Sequence, residues 1–381
     1  MKKKYMTGTL CLVLALVIAA YTGANFLEVR KLSEIKPNSN LGEVKMLSEY
    51  FDGIKGTVGD TEIYVFEGEK PGGKMLLLGG THPNEPSSYL AAITFIERVK
   101  PEAGTVYVIP YTNRSAFTHN DAQEASPQYL HIPTANGVRQ FRYGSRATNP
   151  IDQWPDPDVY VHASSGQKLS GSETRNINRA YPGKPNGTHT EKVAYAIAEF
   201  IRNENIGITF DLHEASPEYP VINATVSHEK GMNVASLGVM ALQMQGIAMA
   251  LEPSPVNLHG LTHRELGDYT DTIPLLMETA NASQGRLRGA TNEYQALTGK
   301  DKAYVKSEAL GMLYVPYDEK GHSIEERVGR HLQGIYEYTK AYSELNPDNI
   351  ITYSNVPGYA ELFVNADEAL LGGSQLGKYL N

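Results

Sequence analysis

Residues 74–99 read KMLLLGGTHPNEPSSYLAAITFIERV. The run Lys74-Met75-Leu76-Leu77-Leu78 reads as a buried strand, and Ser87–Val99, opened by Glu85-Pro86, reads as a helix. The turn between them carries His82 and Glu85. A second buried run, Ile206–Phe210, leads into Asp211-Leu212-His213-Glu214. Side chains at the carboxyl ends of neighbouring strands in an α/β sheet converge on the crevice where such folds place their sites. Two imidazoles and one carboxylate are the protein ligand set of a hydrolytic zinc, whose fourth position stays open for water. One zinc ion per chain, held by His82, Glu85 and His213, is therefore expected.

A third segment makes the pattern specific. Asn176-Ile177-Asn178-Arg179-Ala180-Tyr181-Pro182-Gly183 resembles the Asp-Leu-Asn-Arg-x-Phe-Pro-Gly signature of one superfamily. That superfamily contains the carboxypeptidase A-like zinc peptidases and the succinylglutamate desuccinylase/aspartoacylase deacylases. The His-x-x-Glu motif, the Asn-Arg motif, the strand-end His213 and a later strand-end Glu278 in PLLMETAN occur in the family order. There are two departures. Pro83 stands where the deacylases usually have Gly, and Asn176-Ile177 replaces the usual Asp-Leu. Neither removes a group that the family chemistry requires.

The resemblance implies roles. Glu278 would be the general base, taking a proton from metal-bound water and passing it to the leaving amine. Glu214 is the rival, but side chains alternate across a strand, so it would point away from His213's face. Asn178 and Arg179 would grip a substrate carboxylate, which suits the planar guanidinium fork. For the second arginine of the peptidases, Arg175 ranks first, ahead of Arg146 and Arg142. The family's mobile tyrosine has no assigned position; Tyr269 is nearest, with His259 and His263 crowding the same region. Structural readings stand beside these: Glu85 is also favoured at a helix start by the dipole, and Arg179 could sit in an ion pair.

Strand candidates at Glu62–Phe66, Lys74–Leu78, Thr105–Ile109, Ile206–Asp211, Val221–Thr225, Ile273–Met277 and Leu313–Val315 alternate with helix candidates at Ser87–Val99, Thr190–Asn203, Asn233–Ala250 and Ile324–Glu344. This alternation predicts a single large α/β domain over residues 44–345, with a mixed, mostly parallel sheet flanked by helices on both faces. Residues 111–187 break the rhythm and read as a wall of the cleft. Residues 25–43 form a polar lead-in, and residues 346–381 a C-terminal extension.

Residues 1–24 carry Lys2-Lys3-Lys4, an apolar run from about Leu10 to Ala20 and small residues after it. That pattern predicts a signal peptide or an N-terminal membrane anchor, and hence an extracytoplasmic protein. The single cysteine, Cys11, lies inside this segment, so neither disulfides nor thiolate ligands are expected in the remainder. The formal net charge of −9 becomes −12 once the three lysines of that segment are removed. So acidic a chain is a poor partner for nucleic acid or anionic membrane surfaces. The expected partner is a small molecule or peptide with a free carboxylate. The expected activity is metallocarboxypeptidase-like cleavage of an amide bond, with an N-acyl amino acid deacylase as alternative. A non-catalytic peptide-binding protein keeping the fold is the alternative of another class.

Overall fold

The strand, turn and helix at residues 70–98 form as read, and they set the frame of the whole sheet. The computed structural model describes residues 2–121, 126–363 and 374–381. In chain order the elements begin with α1 (Lys2–Glu28), β1 (Glu43–Met46), β2 (Glu62–Glu67), β3 (Lys70–Leu78), α2 (Pro86–Arg98) and β4 (Lys100–Ile109). Two small hairpins follow, β5 (Tyr129–Thr134) with β6 (Gly137–Arg142), and β7 (Val159–Val161) with β8 (Lys168–Ser170). Next come α3 (His189–Glu204), β9 (Ile208–Ala215), β10 (Ala224–Ser227), α4 (Met232–Met244), β11 (Ala250–Pro253), α5 (Thr262–Tyr269) and β12 (Ile273–Ala280). The last are α6 (Glu293–Thr298), α7 (Lys302–Ala309), α8 (Ile324–Leu345), β13 (Thr352–Ser354) and α9 (Tyr359–Leu362).

The main sheet has the order β1-β2-β4-β3-β9-β12-β10-β11, with β13 also on β4. Its four central strands, β4, β3, β9 and β12, run parallel, and antiparallel pairs flank them. It is thus the expected mixed α/β sheet, with the parallel run at its centre. Alternation along β3 splits the core into two layers. Met75 and Leu77 pack with Phe210, Leu212, Leu275 and Met277 beneath α2, α4 and α8. Leu76 and Leu78 pack with Val65, Ile109 and Leu266 against the apolar face of α3. Each such buried side chain contributes roughly 1.5–3 kcal/mol relative to exposure.

Local chemistry explains the boundaries. The α3 start is a capping box between Thr188 and Glu191, and its end is Asn205 in the left-handed region at φ 55°. Gly80, at φ 66°, makes the turn after β3, where a Cβ would lie 2.7 Å from the Phe117 ring. Two expectations are corrected. Leu313–Val315 is not a strand: Val315 packs against Ile222 and Ala280 instead, and β11 closes that end of the sheet. The helix expected over Asn233–Ala250 stops at Met244, because Gly246 turns the chain at φ 76° into β11. That edge strand ends in Pro253, a residue tolerated where no ladder donor is needed.

The lead-in after α1 and the C-terminal segment are both bound to the domain. Residues 346–381 supply β13 on β4 and place Leu376 and Leu380 in the core; residues 364–373 lie outside the described residues. In the lead-in, Arg142 Nε donates to the Val29 carbonyl at 2.8 Å, Lys36 N to Glu97 Oε1 at 3.1 Å and Asn38 Nδ2 to the Ile96 carbonyl at 2.9 Å. Helix α1 is exposed from Tyr5 to Glu28, and that 24-residue stretch is long and apolar enough to cross a membrane.

Candidate metal centre and its cleft

The carboxyl ends of β3, β9 and β12 bring the sequence-singled residues together. His82 lies in the turn after β3, Glu85 caps α2, and His213 lies near the end of β9. All three are buried. His82 Nδ1 is 2.9 Å from Glu85 Oε1, and His213 Nδ1 is 2.9 Å from Glu85 Oε2. The two imidazole nitrogens thus face the two oxygens of one carboxylate, with one donor atom from each residue in mutual reach. Two nitrogens and a carboxylate suit a divalent cation of the zinc class.

The far side of each ring is also held. His82 Nε2 is 2.9 Å from Asn176 Oδ1, and His213 Nε2 is 2.8 Å from Asp211 Oδ2. With a cation bound, such acceptors would fix the tautomer and leave each Nδ1 lone pair for the ion. Asn176, one departure from the family motif, therefore still accepts the imidazole hydrogen bond. Asp211 is held in turn by the hydroxyls of Thr81 at 2.7 Å and Thr262 at 2.6 Å. Asp211 was missed as a site residue although it lies two positions before His213, on the same strand face.

Glu278 is the register partner of His213 across β12 and β9. The residue is half-buried, but its Oε2 is shut off from solvent and has no hydrogen-bond partner. Burial, with the Glu85 charge adding to it, pushes its pKa up to about 8. Burial lowers His82 to about 4, with the Arg146 charge adding to it. Burial alone would raise Glu85, but the two imidazoles hold its carboxyl well below the usual range. Glu214 points the other way, as alternation requires. It is fully buried with Arg327 of α8, which donates to Oε1, and with Asn281 Nδ2 at 2.8 Å from Oε2.

A cleft of about 480 Å³ opens over these groups and is lined by His82, Glu85, His213, Glu278, Asn178, Arg179 and Arg146. Its volume is in the range of small-molecule sites. Asn178 accepts from the Thr262 amide at 3.0 Å, which fixes the Asn-Arg turn to the start of α5. Arg175 requires a correction: it lies outside the residues lining the cleft, with Nε and Nη2 clamped on Asp156 at 2.7 and 2.9 Å. Arg146 stands at the cleft instead, its Nη1 3.0 Å from Glu85 Oε1. Two residues before it, the backbone at Gly144 packs directly on Pro83 and Ala116. Arg142 is committed to the backbone of Gln128, Val29 and Tyr143. Tyr269 lines a separate depression with Gly207 and Asp271, at the opposite strand ends, whereas Tyr219 lines the cleft.

No family model and no curated protein sequence matches the chain. Several solved structures are similar to it. The cell shape determinant Csd4 of Helicobacter pylori is 14% identical, with a TM-score of 0.44 over 82% of this chain and 59% of its own. A metallo-carboxypeptidase of Burkholderia cenocepacia is 10% identical, at 0.44 over 85% and 69%. A succinylglutamate desuccinylase of a Silicibacter species is 17% identical, at 0.36 over 67% and 65%. The chain thus spans somewhat under two thirds of the desuccinylase and of Csd4. Both branches that the motifs resemble are represented among these neighbours, and the likeness is one of fold.

Proposed function

We propose that the chain is an exported zinc hydrolase that cleaves an amide bond next to a free carboxylate, in the manner of a metallocarboxypeptidase acting on peptides. One observation carries the reading: Glu278 lies in register beside His213, on the wall of a cleft that also holds Arg179, and its Oε2 is buried without a hydrogen-bond partner. A buried polar atom without a partner is costly and rare, and at a strand end over a cleft it indicates a working group. This also speaks against a binding protein that merely keeps the fold.

His82, Glu85 and His213 would hold the zinc. Bound there, it would supply a water of lowered pKa and polarise the scissile carbonyl. Glu278 takes up the proton at its unpartnered oxygen and delivers it to the leaving nitrogen. Arg179 and Asn178 orient the substrate through its carboxylate, and Arg146 faces the position where negative charge develops on the carbonyl oxygen. The apolar side chains of Val226, Leu258 and Leu276 line the same cleft, which favours an apolar side chain beside the carboxylate.

The second reading is an N-acyl amino acid deacylase, which the segment GGTHPNEP favours. Metal analysis of the purified chain, with rates on short peptides and on acyl-amino acids, separates the two; absence of turnover on both classes would refute a hydrolase. Export is supported by the apolar stretch Tyr5–Glu28. Cell fractionation tests it, and a cytoplasmic chain would overturn it.

A further inference from the structure

Behind the Asn-Arg turn lies a second cluster of His and Glu side chains that plays no part in the proposed chemistry. His162 follows β7, His259 lies in the loop before α5, and Glu265 sits in the first turn of α5. One ligand atom from each lies within 4.8 Å of the others. We propose that His162, His259 and Glu265 form a second site for a divalent cation of the zinc class, which pins the wall of the cleft onto the Asn178-Arg179 turn.

The donor chemistry supports it. His162 is buried, and its Nε2 lies 2.6 Å from the Tyr181 carbonyl. Facing a carbonyl oxygen, Nε2 must carry the hydrogen, which leaves Nδ1 with its lone pair. A backbone carbonyl on one ring nitrogen is the usual support of a metal-binding imidazole. Ser165 Oγ, 2.7 Å from Nδ1, is the group that would yield. His259 Nδ1 is 2.8 Å from Glu265 Oε1, the same close approach of imidazole and carboxylate seen at His82 and Glu85. The His162 and His259 rings stack with centroids 6.0 Å apart.

Glu265 supplies the independent observation. It is fully buried, Oε1 accepts from the Gly260 amide at 3.0 Å, and Oε2 has no hydrogen-bond partner. Among the described residues no Lys or Arg forms an ion pair with it. Buried carboxylates are normally paired with a cation or bound to a metal. A tetrahedral zinc with bonds near 2.1 Å needs ligand atoms about 3.4 Å apart, within reach of small side-chain rotations. The remaining cluster, His228, Glu229 and Asp268, is different in kind. There the Arg264 guanidinium bonds both carboxylates and already supplies the positive charge.

The position gives the site a purpose. Tyr181 N donates to the Gly260 carbonyl at 3.2 Å, and a Cβ on Gly260, at φ 90°, would lie 2.3 Å from the Arg179 carbonyl oxygen. A cation on these three residues therefore joins the β7–β8 hairpin, the loop before α5 and α5 itself to the backbone that presents Arg179.

The test is metal stoichiometry on the full chain, stripped with a chelator, reloaded with Zn²⁺ or Co²⁺ and dialysed. The expected result is two metal ions per chain, falling to one in Glu265→Gln and in His259→Ala. His82→Ala should also retain one, and His82→Ala combined with Glu265→Gln none. In the His82→Ala background, Co²⁺ should give a visible absorption band that disappears on adding His259→Ala. His82→Ala that holds no metal, while its near-ultraviolet circular dichroism stays native, overturns the second site and leaves a His259–Glu265 ion pair. If His82→Ala leaves the stoichiometry unchanged, it is the first centre that fails, and Glu265→Gln still decides the second.

Discussion

The Arg179 side chain offers a quantitative test of substrate choice. It is largely buried, with 21% of the side chain exposed, and its one hydrogen bond among the described residues runs from Nη1 to the Asn178 carbonyl at 2.7 Å. The nearest carboxylate, Glu173, is 3.9 Å from Nε, too far for a hydrogen bond. The guanidinium therefore keeps donors for a substrate, and burial lowers its pKa only from a very high starting value. A hydrogen bond to a charged group contributes roughly 1.5–3 kcal/mol, or about 10- to 150-fold in kcat/KM. Blocked dipeptides with a free acid should be turned over faster than their amides by that factor. Arg179→Ala should erase the preference, and Arg179→Lys should keep part of it, because the charge survives and the fork does not. Equal kcat/KM on acid and amide in the wild-type chain would refute the clamp and point to an amidase acting on internal linkages.

Further outcomes follow from the same geometry. Glu278→Gln should keep its metal and fold yet lose about 10²–10⁴-fold in rate; near-normal turnover would pass the role to another carboxylate. His213→Ala should lose the catalytic metal and the hydrolysis together, as read by elemental analysis beside a rate assay. Arg327→Met strands the buried Glu214 charge and should cost about 3–5 kcal/mol in urea unfolding, whereas Glu214→Gln with Arg327→Met should recover most of it. Glu204 is held at about 2: burial would raise its pKa, but Tyr50, Lys74, Tyr107 and Lys45 donate to it and prevail. A depressed carboxylate stabilises above its unfolded pKa of about 4.3 and loses that contribution as pH falls toward 2. The Tm gap between wild type and Glu204→Gln should narrow over that interval, and a constant gap would contradict it.

The central strands were legible because their apolar runs end in chemistry. Leu76-Leu77-Leu78 before Gly79-Gly80, and Ile208–Phe210 before Asp211, can only be buried strands whose ends face a crevice. Alternation placed Glu214 away from His213, and the Arg327 pair in the structure has that orientation. The edges were hidden. β1, β11 and β13 are three or four residues long, and partners distant in the chain define them. Arg146 and Arg175 could not be told apart in sequence because residues 111–187 lack periodicity. Only the packing of Gly144 on Pro83, and the reach of Asp156 to Arg175, separates them.

The two imidazoles of the candidate centre are not equivalent donors. His213 leans on a carboxylate, Asp211, whereas His82 leans on the neutral amide of Asn176. An anionic acceptor makes an imidazole more electron-rich, so a bound cation would draw less electron density from the His82 side. The surroundings then carry one negative charge fewer than an Asp-Asp arrangement would. An ion held there would be a harder electrophile, easier to strip with a chelator, and Asn176→Asp should trade acidity of its water for tenacity of its grip.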